Sequence, residues 1–317
     1  MSLFWRRRLT WRHLLLAIAI LALGSSGYGM YVGWRLTHLP RMQLPTKPTF
    51  WGMPYRTVRF FSAVDHLKLH GWFIPASRSS SLTVVFSHGY GSNRADIGIP
   101  GLLMMRAVHL WGANVLTFDY RAEGRSPGQL VSVGQYEVRD LLGAVQAVQT
   151  YAPHNKVAIV GFSMGATVAL MAGEADPHVA AVIADSPFAN LIPYLQHNLP
   201  VWTGLPSVPF DWIIMALTPP LTGVNPAAVD PLAHVGAFGK RPVLLIAGKK
   251  DKTVPDGNSK LLYKALRRTD PNAGLWLVPG AHHVESFQLR PLQYLARLYA
   301  VLHQVDPELR APPGLGL

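Results

Sequence analysis

The stretch KVAIVGFSMGATVALMAG (residues 156–173) opens as a continuous apolar run, breaks at a serine with a glycine two residues away on each side, and continues as a small-residue helical pattern. A strand that ends in Gly161-Phe162-Ser163-Met164-Gly165 and turns directly into a helix makes a tight corner with the middle side chain pushed out at its tip. Backbone N–H groups and the positive end of the helix then lie close to anything bonded to Ser163, which suits a nucleophile whose product is an oxyanion. An isolated G-x-S-x-G also occurs as a turn that uses small residues only for packing. Partners elsewhere in the chain decide between the two.

Outward from this corner, LTVVFSHG, ANVLTFDY, VAAVIADS, RPVLLIAG and GLWLVPG repeat the short, nearly continuous apolar run, the mark of strands buried on both faces. Helical patterns fall between most of them, for example over residues 134–151 and 259–268. The alternation predicts an α/β fold, a mostly parallel central sheet with helices on both faces. Ahead of it, RTVRFFS and LKLHGWFIP alternate as half-exposed antiparallel strands with a hairpin-like break at residues 63–66. In parallel sheets of this kind ligands bind beyond the carboxyl ends of the strands. His88, Asp119, Ser163, Asp185, Asp251 and the His282-His283 pair all fall there.

A nucleophilic serine needs a base and a group that orients the base. Asp251 follows one buried strand in LLIAGKKDKTVP, and His283 follows the next in LWLVPGAHHV. The order Ser, Asp, His is the one expected when all three occupy loops at one edge of such a sheet. The glycine-rich turn His88-Gly89-Tyr90-Gly91 offers N–H donors that can face Ser163. With SHGYGSNR, FDYRAEGRS, GFSMG, ADSPF, GKKDKTVP and PGAHHV in that order, the chain from about residue 56 to 304 resembles the α/β-hydrolase superfamily. Within it, the chain is similar to membrane-anchored serine hydrolases of the Bem46-like and prolyl-oligopeptidase-like groups. The resemblance implies Ser163 as nucleophile, Asp251 as acid and His283 as base, with the backbone N–H groups of Tyr90 and Met164 as the oxyanion hole. It favours Asp251 over Asp185, which it assigns to a structural turn, and His283 over its neighbour His282. One departure is Ala122-Glu123 in DYRAEGRS, where relatives usually carry glycine and an aromatic or histidine, so the shape of that loop is open.

Between about residues 186 and 234 the alternation is interrupted by a proline-rich stretch whose only charge up to Val229 is Asp211. It reads as a small apolar cap that shields a greasy substrate or rests against lipid. The net charge of +12 is concentrated at the other end. Residues 1–64 carry nine Lys or Arg and no acid, which leaves +3 for the rest. No zinc-finger or RNP-like pattern accompanies the charge, which argues against nucleic acid as a partner.

Arg6, Arg7, Arg8 and Arg12 precede an uncharged stretch from Leu14 to Trp34, long enough to cross a bilayer as a helix. The positive-inside rule puts the arginines in the cytoplasm and the body of the chain on the outer face. Residues 1–36 therefore read as a basic tip and single-pass anchor; the alternative is a signal peptide cleaved near Ala22-Leu23-Gly24, which would leave a secreted protein. Gly29 and Gly33 form a G-x-x-x-G suited to helix pairing. Residues 37–55 read as a proline-rich stalk and 305–317 as a tail.

There is no cysteine, which excludes disulfide staples and thiol catalysis. No H-E-x-x-H, carboxylate cluster or P-loop points to a metal or other cofactor, and the expected chemistry needs only water. The expectation is a membrane-held serine hydrolase that cleaves small-molecule or lipid acyl esters through an acyl-enzyme. A peptidase or amidase is the alternative, and a non-catalytic binding protein is the third reading.

Overall fold

The computed structural model describes residues 11–96 and 98–311; Arg6, Arg7 and Arg8 of the basic tip and residues 312–317 of the tail lie outside them. Each continuous apolar run forms a strand. After the hairpin of β1 (Arg56–Phe61), which is half-exposed as expected, and β2 (Lys68–Ile74), which is instead buried from Gly71 onward between β1 and β4, come β3 (Leu82–Ser87), β4 (Asn114–Phe118), β5 (Lys156–Phe162), β6 (Val179–Asp185), β7 (Val243–Gly248) and β8 (Gly274–Val278). They form one sheet in the order β1-β2-β4-β3-β5-β6-β7-β8. The first two pairings are antiparallel and the rest parallel.

The apolar runs lack alternation because both faces of the sheet are covered. On β5, Val157 and Ile159 enter one core while Ala158, Val160 and Phe162 enter the other. The first core is closed by α3 (Glu137–Tyr151), α4 (Met164–Ala175) and α8 (Gly257–Leu266), the second by α2 (Gly101–Trp111) and α10 (Pro291–Val305). Each fully buried aliphatic side chain contributes about 1.5–3 kcal/mol relative to leaving it exposed. The register sets Ser87 beside Gly161, and Phe162 beside Asp185. The carboxyl ends of the central strands are thereby level.

Between β6 and β7 the chain leaves the sheet as α5 (Leu191–Thr203), α6 (Ser207–Thr222) and the short α7 (Pro231–His234). Asn190 caps α5 by accepting the Ile192 N–H at 3.0 Å. Pro200, Pro219 and Pro220 lie inside these two helices, each within a turn of the glycine that ends it, Gly204 or Gly223. The proline-rich cap stretch thus folds largely as helix.

At the N-terminus, α1 (Trp11–Thr37) is 27 residues long and apolar enough to cross a membrane. Residues 11–24 are exposed on every side, whereas Gly29, Gly33 and Thr37 are buried. The two glycines pack within this chain, against α6. A Cβ on Gly29 would run into Ile213, and one on Gly33 into Thr218, so the small residues set how closely the helices approach.

The segment after α1 differs from a free stalk. Arg41 donates to the Ser126 and Gly128 carbonyls, Asn93 Nδ2 donates to the Gln43 carbonyl at 3.1 Å, and Met53 is fully buried. An irregular segment without hydrophobic period can still lie in a groove whose side chains satisfy its backbone. The tail likewise stays on the body as far as it is described, with Leu309 buried and the Arg310 N–H bonded to the Trp111 carbonyl. The last helix before α10, α9 (Ser286–Leu289), follows the His282-His283 loop.

Candidate active site

Ser163 stands between β5 and α4 with φ 53° and ψ −118°, a conformation that costs a non-glycine residue of order 1–3 kcal/mol. The surroundings hold it there. Its N–H donates to the Asp185 carbonyl at 2.8 Å, and its own carbonyl accepts from the N–H groups of Ala166 and Thr167. Both flanking glycines are steric requirements: a Cβ on Gly161 would strike the backbone of Gly165 and Ala166, and one on Gly165 the carbonyls of Ser87 and His88.

The side chain of His283 reaches this corner from the loop after β8. Its Nε2 lies 2.9 Å from Ser163 Oγ and its Nδ1 2.7 Å from Asp251 Oδ2. The second oxygen of Asp251 accepts the N–H groups of Thr253 and Val254 at 2.9 and 2.8 Å. The carboxylate is therefore fixed in one orientation and is buried. His282 is exposed and turned away, its backbone N–H bonded to Glu285. Ser163, Asp251 and His283 thus form a hydrogen-bonded line.

Asp185 receives no hydrogen bond from His283. Its Oδ1 accepts from the Ser186 hydroxyl at 3.1 Å, and burial pushes its carboxyl up to about 7. The ordinary value is 3.8. Between pH 4 and 7 the folded chain keeps this proton while the unfolded chain loses it, so this group lowers stability as pH rises through that window. In Asp185→Asn this contribution should vanish. The difference in melting temperature, variant minus parent, should grow in the variant's favour from pH 4 to 7 and then level off; a difference independent of pH would refute the assignment.

The turn after β3 faces the serine. A Cβ placed on Gly89 would sit 3.6 Å from Ser163 Cβ, and among the described residues neither the Tyr90 nor the Met164 N–H donates to a protein acceptor. Both are available to an oxyanion. His88 braces the turn: its Nδ1 bonds the Gly89 carbonyl at 2.8 Å while Nε2 accepts the Tyr120 N–H at 3.2 Å. These partners select the neutral Nδ1–H tautomer, and burial holds the ring below the ordinary histidine range. The Tyr90 hydroxyl points away from the serine and donates to the Leu36 carbonyl on α1. Asp119 is structural, accepting the N–H groups of Arg94 and Arg125 at 2.8 and 2.7 Å.

Sequence reasoning missed the part played by Glu123. It is buried, its Oε1 accepts the Gly91 N–H, and burial together with the Glu137 charge raises its carboxyl well above the usual range. A buried acid thus supports the glycine turn from below. The signal was the loop's departure from its relatives. The loop itself is pinned by the buried pair Arg121–Asp140, with contacts of 2.7 and 3.0 Å.

A narrow cavity of ≈ 90 Å³ ends on Ser163. Its walls are apolar: Val133 and Met164 from the body, Leu191, Leu195 and Trp202 from α5, Ile214 and Met215 from α6, and Gly33 and Leu36 from α1. The C-terminal turn of the apolar N-terminal helix is therefore part of the site. An apolar cleft of this size, covered by the cap and lined by a hydroxyl bonded to imidazole, can take the acyl carbons next to a carbonyl at the serine.

A sequence profile of the prolyl oligopeptidase family matches residues 130–305. The protein YqkD of Bacillus subtilis is 32% identical over 211 residues, 65% of this chain and 66% of YqkD. YfhR of Escherichia coli is 29% identical over 239 residues, 73% of this chain and 74% of YfhR. Among solved structures, an esterase of Pyrococcus furiosus, Pf2001, superposes with a TM-score of 0.70 at 28% identity, covering 84% of this chain and 98% of that one. The acylaminoacyl peptidase of Pyrococcus horikoshii shares the fold, with a TM-score of 0.61 at 18% identity over 82% of this chain and 42% of that one. The family profile covers more than half of the chain, and the superposed structures share its architecture: the chain belongs to the prolyl oligopeptidase family and has the α/β-hydrolase fold.

Proposed function

We propose that the protein is a serine hydrolase that cleaves carboxylic esters of apolar acyl groups. The observation that carries this reading is the line Ser163–His283–Asp251 opening into an apolar cavity. Ser163 Oγ attacks the ester carbonyl as its proton passes to His283 Nε2, and Asp251 stabilises the imidazolium through Nδ1–H. The N–H groups of Tyr90 and Met164 receive the charge that develops on the carbonyl oxygen. His283 then protonates the departing alcohol, and a water activated by the same imidazole cleaves the acyl-enzyme. Every step uses groups of this chain and water.

The cavity wall supports an ester of low polarity over a peptide, because a peptide would bury amide groups there without partners. Membership of the prolyl oligopeptidase family keeps a peptidase as the second reading. The full chain in detergent, given p-nitrophenyl esters from acetate to palmitate, should show turnover that persists or rises toward the longer chains. Peptide p-nitroanilides should be poor substrates. Turnover of the anilides that exceeds that of every ester would replace this reading with the peptidase one.

A further inference from the structure

Crossing the ~30 Å hydrocarbon core of a bilayer takes ~20 helical residues. The part of α1 that is exposed throughout, residues 11–24, supplies only about 21 Å of that at 1.5 Å per residue. The remaining depth must be crossed by residues that already pack on α6. Counted from Leu14, the first residue after Arg12 and His13, the twentieth is Gly33. The contacts of Tyr28 with Phe210 (ring centroids 5.9 Å apart), of Gly29 with Ile213 and of Gly33 with Thr218 therefore fall within the outer leaflet. A helix fixed to α1 at three points over two turns shares its depth.

The outward face of the cap suits that position. Trp212 is 76% exposed and Val208 75% exposed, and Val201 and Trp202 continue the surface along α5. The one charged residue of the two helices, Asp211, is buried, so the face presents no ion to hydrocarbon. Tryptophans at this level are typical of the interface between acyl chains and headgroups. On the inner side of the same helices, Ile214 and Met215 line the cavity that ends on Ser163, and Trp202 belongs to both the lining and the outer surface.

We propose that α5 and α6 are immersed in the outer leaflet beside α1, and that the substrate is a membrane-resident acyl ester whose chain slides from the leaflet past Trp202 to Ser163 without crossing water. The substrate half rests on the esterase reading; the immersion does not. Continuity with the spanning helix selects lipid as the partner of this face. The surface left exposed beside α1 is the surface a bilayer would cover.

The chain contains no cysteine, so Trp212→Cys in the full chain carries a single environment-sensitive fluorophore after reconstitution into phosphatidylcholine–phosphatidylglycerol vesicles. Its emission should be blue-shifted and quenched by lipids bearing a nitroxide on the upper acyl chain. A label on Gln304→Cys, exposed next to Val305, whose carbonyl accepts from Lys156 at the amino end of β5, should be neither. A water-exposed label at 212, or one that is shielded yet unquenched by the lipids, overturns immersion; the latter result means a protein partner or a second copy. The same measurement on a Ser163→Ala background reads immersion whether or not esters are the substrate. With Val208→Glu and Trp212→Glu together, hydrolysis of a long-chain ester dissolved in the vesicles should fall about tenfold or more. Turnover of p-nitrophenyl acetate from water should stay within about twofold. An equal fall of both rates, or of neither, overturns entry from the leaflet; no turnover of either ester by the parent protein would instead count against the esterase reading.

Discussion

Ser163→Ala is expected to lower ester turnover about a million-fold, to what binding and the backbone donors alone supply. The size follows from the chemistry: without Oγ no acyl-enzyme forms, and His283 has no proton to accept. The backbone should survive, because alanine meets the same φ of 53° as serine and the N–H and carbonyl bonds of residue 163 do not involve the side chain. Steady-state turnover with circular dichroism as the folding control measures the loss. A fluorophosphonate probe adds a second readout, since it should label the parent protein once and the variant not at all. A folded alanine variant that retains the parent's rate would remove Ser163 from the mechanism.

Asp251→Asn should cost about ten-thousand-fold in kcat at neutral pH. Oδ1 of Asp251 accepts two backbone N–H groups, and Oδ2 faces His283. In asparagine the amide oxygen must take the place that receives the two N–H groups, which turns the NH₂ toward His283 Nδ1. That donor forces the imidazole to carry its proton on Nε2, pointing at Ser163 Oγ and unable to receive one. Asp185→Asn supplies the contrast, with a loss within about twofold, because its carboxylate touches neither His283 nor Ser163 while its carbonyl still holds the Ser163 N–H. Reversed outcomes would make Asp185 the acid.

Much of this arrangement is legible in the sequence for one physical reason: strands covered on both faces lose alternation, so β3 to β7 appear as bare apolar runs, most of them followed at once by the polar residues of interest. Strand β1 is legible for the opposite reason, since one exposed face leaves a period of two, whereas β2 is buried on both faces from Gly71 onward. The corner at Ser163 is marked by Gly161 and Gly165, whose missing Cβ atoms are required by the approach of Gly165, Ala166, Ser87 and His88. What lies outside the reach of periodicity is which apolar surface meets protein. In α1, Leu16 and Gly33 belong to one uncharged run, yet the first is exposed and the second lines the site. The turn of the Tyr90 hydroxyl toward Leu36 and the burial of Glu123 beneath Gly91 depend on contacts distant in the chain, which local pattern does not encode. The segment after α1 reads as a stalk in the sequence, and its contacts with the body are not legible there, because proline content reports stiffness and leaves open what the backbone lies against.

The left-handed backbone at Ser163 has an evolutionary side. The chain gives up about 1–3 kcal/mol at the proposed nucleophile to keep a side chain where glycine would be at ease. On the proposed mechanism, selection for thermal endurance and selection for turnover pull this position in opposite directions.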